Sequence, residues 1–108
     1  MELNELMKFI KKYAKHQKKM FGESKDPEKL ILSSTVKIAE ELGELCDQVL
    51  SYNSRQRKEK LENFSEDSLS EEFADVLLAI LMLAYDMKID INKALEKKIK
   101  KLKKKYHV

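Results

Sequence analysis

Glycine occurs twice in this chain, proline and cysteine once each, and tryptophan not at all. So few turn formers, beside abundant Leu, Lys, Glu, Ile and Ala, point to an all-helical protein. A single cysteine excludes an internal disulfide, and Cys46 is expected to pack as a small hydrophobe. The longest apolar run, Val76 to Tyr85, has ten residues, too few to span a bilayer. The first ten residues carry Glu2, Glu5 and Lys8 in a periodic pattern rather than a signal peptide, so a soluble, cytoplasmic protein is expected. His16 and His107 are not at metal-ligand spacing and no Glu-x-x-His occurs, which argues against a di-iron carboxylate bundle. The length of 108 residues suits one domain over residues 1–108 with one modest core.

What is present is helical periodicity. Leu3, Leu6, Met7, Ile10, Tyr13, Ala14 and Gln17 recur on one face of a first helix over Glu2 to Phe21. Gly22 ends that helix. Asp26-Pro27 then reads as an N-cap followed by a proline at the first helical position, opening a second helix that runs to about Tyr52. A polar connector follows from Asn53 to Asp67, with a short helix over Arg55 to Asn63. Ser68 and Glu71 match a capping box for a third long helix, and Asp86-Met87-Lys88 breaks it. Asp90 caps a last helix with a narrow apolar stripe of Ile91, Leu95, Ile99, Leu102 and Tyr106 among lysines. The expected fold is a bundle of four main helices.

Two acidic clusters stand out. In Ile38 to Val49, the residues Ile38, Leu42, Leu45, Cys46 and Val49 form an apolar stripe, and Glu41 and Glu44 stand three apart beside it. Glu40 and Asp47 crowd the same turns. Like charges at this spacing cost a helix about 0.2–0.5 kcal/mol per pair, and a carboxylate at a core edge needs compensation. A bound cation would supply it. Glu72 and Asp75 repeat the spacing just before the ten-residue apolar run, which is expected to be buried nearly all round. If the two helices pack antiparallel, four carboxylates converge on an all-oxygen site suited to Mg²⁺ or Mn²⁺.

EELGEL followed by EEFADV, on two helices joined by a short connector, resembles the EExxE…ExxD pattern of MazG-like all-α nucleoside triphosphate pyrophosphohydrolases. The likeness extends from about Pro27 to the lysine-rich end and its Tyr. It implies that Glu41, Glu44, Glu72 and Asp75 are Mg²⁺ ligands and that the α–β bond of a nucleoside triphosphate is cleaved to monophosphate and pyrophosphate. It also implies a homodimer or tetramer. Glu40 or Glu71 would take the proton of the attacking water. Lys98 and Tyr106 match positions near the phosphates, although a solvated lysine and a packing tyrosine are equally ordinary. For Lys37 two readings stand, an ion pair with Glu41 (favoured) or a phosphate contact.

Departures from the family pattern concern the base. Ala79 stands where some relatives have an aromatic or amide residue, Leu102 where close relatives carry Asn, and there is no Trp to stack on a pyrimidine. Ala79 and Met82 would floor a permissive pocket. Gly43 either admits another backbone or a ligand, or merely packs. Three other readings compete: phosphoribosyl-ATP pyrophosphohydrolase, a nonenzymatic helical interaction module, and, last, a nucleic-acid binder using the lysine run.

Overall fold

The computed structural model describes residues 1–21 and 26–108. Five helices follow in order: α1 (Leu3–Phe21), α2 (Pro27–Tyr52), α3 (Lys58–Glu62), α4 (Glu66–Asp86) and α5 (Ile91–Tyr106). Among the described residues there is no strand. The all-α expectation therefore stands, with α3 as the short helix of the connector. Gly22, read from the sequence as the end of the first helix, lies outside the described residues.

Local chemistry sets the helix starts. Asp26 caps α2, its carboxylate accepting from the Glu28 amide at 3.1 Å, and Pro27 occupies the first turn, where its missing N–H costs nothing. Asp90 caps α5 through the Lys93 amide at 3.0 Å. The start of α4 differs from expectation. Its capping box is Ser65 with Ser68, each hydroxyl accepting from the other's backbone N–H at 3.0 Å. The helix thus opens at Glu66 rather than after Ser68, because Ser65 supplies the reciprocal pair one turn earlier.

The ends of α2 and α4 are made without glycine. After α2 the amides of Ser54 and Arg55 return to the carbonyls of Ser51 and Leu50, and after α4 those of Lys88 and Ile89 return to Tyr85 and Ala84. Both are Schellman closures, with Ser54 at φ 55 and Lys88 at φ 57.

α2 and α4 pack most extensively, α1 lies against α4, and α3 touches α2. Their pairing is antiparallel, since Ser34 bonds to Asp86 while Gln48 meets Ser68. The buried apolar side chains are few: Ile10 and Ala14 of α1, Leu30 of α2, and Ala79, Leu81 and Ala84 of α4.

Two sequence expectations are corrected here. The run in α4 is not buried all round, since Leu77 is 61% and Ile80 42% exposed, and Phe73 just before it is 51% exposed. In α2 the stripe through Leu42, Cys46 and Val49 is exposed, Cys46 included. The face turned to α4 instead holds buried Glu41 and Ser51. Too few helices of one chain surround α2 and α4 to cover both apolar faces. α5 packs on no neighbour to a comparable extent; Asn92 at its start reaches Asn4 at 3.5 Å, and its stripe of Leu95, Ile99, Leu102 and Tyr106 is exposed. The radius of gyration is 16.8 Å, against about 13 Å for a compact chain of this length. No helix among the described residues is long and apolar enough to cross a membrane.

Candidate metal and nucleotide site

The seam between α2 and α4 carries polar side chains along one helical row of α2 and at the two ends of one row of α4. Ser34, Glu41 and Gln48 recur every seven residues on α2. Glu72, Asp75, Ala79, Met82 and Asp86 recur at steps of three and four on α4. Antiparallel packing sets these rows against each other, and midway along the seam the acids meet. One oxygen each from Glu41, Glu72 and Asp75 lies within 4.8 Å of the others. Glu41 is 8% exposed, and Glu72 and Asp75 are half-buried. Glu44 is exposed and stands outside this trio.

Neighbouring charges reveal the crowding. Burial pushes the Glu72 carboxyl above its ordinary range, with the charges of Glu44, Asp75, Glu41 and Glu71 adding to it. The Glu41 charge is the main cause of a raised Glu44. Lys37 is held more basic than usual, chiefly by its hydrogen bond to Glu41. Its ammonium donates to Glu41 Oε1 at 3.0 Å and to Glu40 at 3.4 Å. The i, i+4 ion pair favoured from the sequence is thus formed, and Lys37 also reaches the edge of the site.

Cavities open on both sides of the cluster. The larger, about 450 Å³, runs between α1, α2 and α4, from Glu41 and Asp75 to Ser34 and Asp86. Leu78, Ala79 and Met82 line its middle, and Tyr13, Gln17 and Lys18 enter from α1. A smaller one, about 230 Å³, is lined by Glu44, Gln48, Glu72 and Lys60. Lys60 comes from α3 and is tethered to Asp47 at 2.7 Å. Gln56 adds a second tie to Asp47 at 3.0 Å.

Of the residues singled out from the sequence, Glu41, Glu72, Asp75, Lys37 and Ala79 share this region, with Glu44 on the side of the smaller cavity. Glu40 and Glu71 are exposed beside it. Lys98 and Tyr106 are not brought to it: both are exposed on α5 and line neither cavity. Sequence reasoning missed Lys60, Ser34, Asp86 and the α1 residues. Tyr13 and Gln17 read there as core-facing helix positions, and nothing local distinguishes one connector lysine from another.

The donor set fits a hard divalent cation. Glu41 Oε2 and Glu72 Oε2 are buried with no hydrogen-bond partner. An orphaned buried carboxylate oxygen is costly, and an oxygen-seeking ion is the partner such a trio suits. Comparison with curated proteins and with solved structures gave no significant match. A family model does match: that of the MazG nucleotide pyrophosphohydrolase domain, over residues 28–108. This span holds both acidic clusters and most of the chain. It begins one residue after the proline that opens α2, so α1, which lends Tyr13, Gln17 and Lys18 to the larger cavity, lies outside it. By this match the chain belongs to the MazG nucleotide pyrophosphohydrolase family.

Proposed function

We propose that the chain hydrolyses nucleoside triphosphates at the α–β bond, releasing a monophosphate and pyrophosphate, with Mg²⁺ or Mn²⁺ held by Glu41, Glu72 and Asp75 and assisted by Glu44. One observation carries the reading: three carboxylates from two antiparallel helices converge between two cavities, with two buried oxygens unpartnered. When bound, the ion supplies charge neutralisation at the triphosphate and a more acidic water.

The protein's own residues divide the remaining work. Glu71 accepts the proton of the attacking water; Glu40 is the weaker candidate because Lys37 already engages it at 3.4 Å. Lys37, anchored on Glu41, and Lys60, anchored on Asp47, present positive charge to phosphate oxygens on the two sides of the cluster. The nucleoside lies in the larger cavity over Ala79 and Met82.

The working unit is a homodimer or a dimer of dimers. Leu32, Val36 and Leu42 on α2 and Phe73, Leu77 and Ile80 on α4 are exposed, and large apolar side chains left open on two helices are what a partner subunit would cover. A β-carbon on Gly43 would meet nothing within 4 Å among the described residues, which leaves that face room for a neighbouring subunit's backbone or for a ligand. In such an assembly α5, which packs little on its own chain and leaves Lys98 and Tyr106 exposed, is free to reach the site of another copy.

Purified protein with Mg²⁺ and a panel of nucleoside triphosphates, phosphoribosyl-ATP included, tests the activity. Pyrophosphate release that EDTA abolishes is expected. Cleavage of phosphoribosyl-ATP alone would move the chain to histidine biosynthesis. No metal-dependent release from any nucleotide would leave a helical interaction module.

A further inference from the structure

The far end of the larger cavity carries a carboxylate that the proposed hydrolysis does not use. Asp86 closes α4 eleven residues beyond Asp75, about 16 Å along the helix axis, and both line the same cavity. Asp86 is half-buried, and its Oδ2 accepts from the Ser34 hydroxyl across the α2–α4 seam. That bond fixes the carboxylate while leaving its second oxygen open. Between the two ends Leu78, Ala79 and Met82 supply an apolar wall on α4, and Tyr13 lines the cavity from α1. A nucleotide held at the acidic trio by its phosphates therefore extends its base toward Asp86.

We propose that Asp86, positioned by Ser34, determines base specificity and selects guanine nucleotides. This rests on the pyrophosphohydrolase reading and names its substrate class. A carboxylate only accepts hydrogen bonds, through about four lone-pair sites. Among the common bases, guanine alone presents two adjacent, parallel donors, N1–H and N2–H₂, which match the two carboxylate oxygens as a fork. Its neighbouring O6 is an acceptor, and Gln17 and Lys18, in the same cavity, offer N–H donors for it. Adenine and cytosine present one amino group beside a ring nitrogen whose lone pair would face the carboxylate. Uracil and thymine present one N–H flanked by two carbonyl oxygens, and both would be repelled. A carboxylate oxygen stripped of water by a base that cannot pair with it disfavours that base. The cavity of about 450 Å³ admits a purine, and a purine reaches further along the groove than a pyrimidine.

The test compares the intact protein with Asp86→Asn and Ser34→Ala, measuring kcat/KM for GTP, ATP, CTP and UTP and calorimetric binding of GMP and UMP with Mg²⁺. The native protein should favour GTP over UTP by about tenfold to a hundredfold, the range for one bidentate base contact, mostly through KM. Asp86→Asn should collapse or invert that ratio, because an amide offers one donor and one acceptor and so suits uracil. Ser34→Ala should weaken the preference less, by freeing the carboxylate. A residue that merely stabilised the helix end would lower all four substrates together. Equal kcat/KM for GTP and UTP in the native protein, or an unchanged ratio in folded Asp86→Asn, overturns the assignment while leaving the activity intact. Absence of hydrolysis of every nucleotide instead overturns the underlying activity. If Asp86→Asn does not fold, Ser34→Ala and the GMP-against-UMP binding of the native protein decide.

Discussion

Lys37 donates to one oxygen of Glu41 at 3.0 Å, while the other oxygen of the same carboxylate is buried without a partner. The lysine is largely exposed, so the pair is worth at most about 1 kcal/mol. A buried acceptor left unmade costs about 1–3 kcal/mol. The ion pair therefore does not explain why Glu41 is buried, and the neighbouring acids make its burial worse.

From this imbalance, millimolar Mg²⁺ should raise the melting temperature at neutral pH. Glu72→Gln should abolish the rise and the hydrolysis while leaving the metal-free protein as stable as the native one, or more so, because one repelling charge is gone. Circular dichroism melts with and without Mg²⁺ check this. A full Mg²⁺ shift in Glu72→Gln would remove that residue from the site.

The pH dependence has a definite sign. Glu72 and Glu44 bind their protons more tightly folded than unfolded, burial being the first cause for Glu72 and the Glu41 charge for Glu44. Their contribution is fully present below the ordinary value of 4.5 and is lost as pH rises through the raised folded values. Metal-free protein should lose stability from mildly acidic to neutral pH, and saturating Mg²⁺ should flatten that slope. Melts across this range in EDTA that rise with pH would contradict it.

Glu71→Gln should lower kcat by a hundredfold or more, as for loss of a general base, with nucleotide affinity preserved. Glu40→Gln should have the smaller effect and act through Lys37. The reverse order would make Glu40 the base.

The open α2 and α4 faces make assembly testable. Light scattering should give two or four times the 12.7 kDa chain mass, and Leu77→Glu should lower it. Gly43→Ala would add about 1 kcal/mol of helix propensity to an isolated chain. In an assembly with a neighbour against that face it should instead weaken association. A native mass of one chain, or unchanged assembly with a higher melting point in Gly43→Ala, would show the face to be free.

Lys88 holds φ 57 at the closure of α4, a conformation that costs a side-chain-bearing residue about 1–2 kcal/mol. Part of that returns as the greater backbone freedom glycine loses on folding. Lys88→Gly should therefore raise stability by up to about 1 kcal/mol, a few degrees in Tm for a domain this size, with Lys88→Ala giving none of it.

Helix existence and most boundaries were legible because they depend on neighbours within about four residues. The Asp26-Pro27 and Asp90 starts and the break after Asp86 follow from local capping and backbone chemistry. The i, i+3 pairing of Glu41 with Glu44 and of Glu72 with Asp75 is equally local, and so is the motif resemblance built on it. The Ser65 capping box was missed since two serines compete for the same role within one turn.

What only the tertiary structure decided is which face of each helix meets another. The apolar arc of α2 suggested that Leu42, Cys46 and Val49 point inward, yet Glu41 is the side chain buried there. Burial depends on what packs against a face, and one chain supplies too few helices to cover every apolar arc. Asp86 and Asp75, eleven residues apart, share one cavity with Ser34, Tyr13 and Gln17 only because α2 runs antiparallel to α4 and α1 lies against α4. No periodicity within a single helix carries that information.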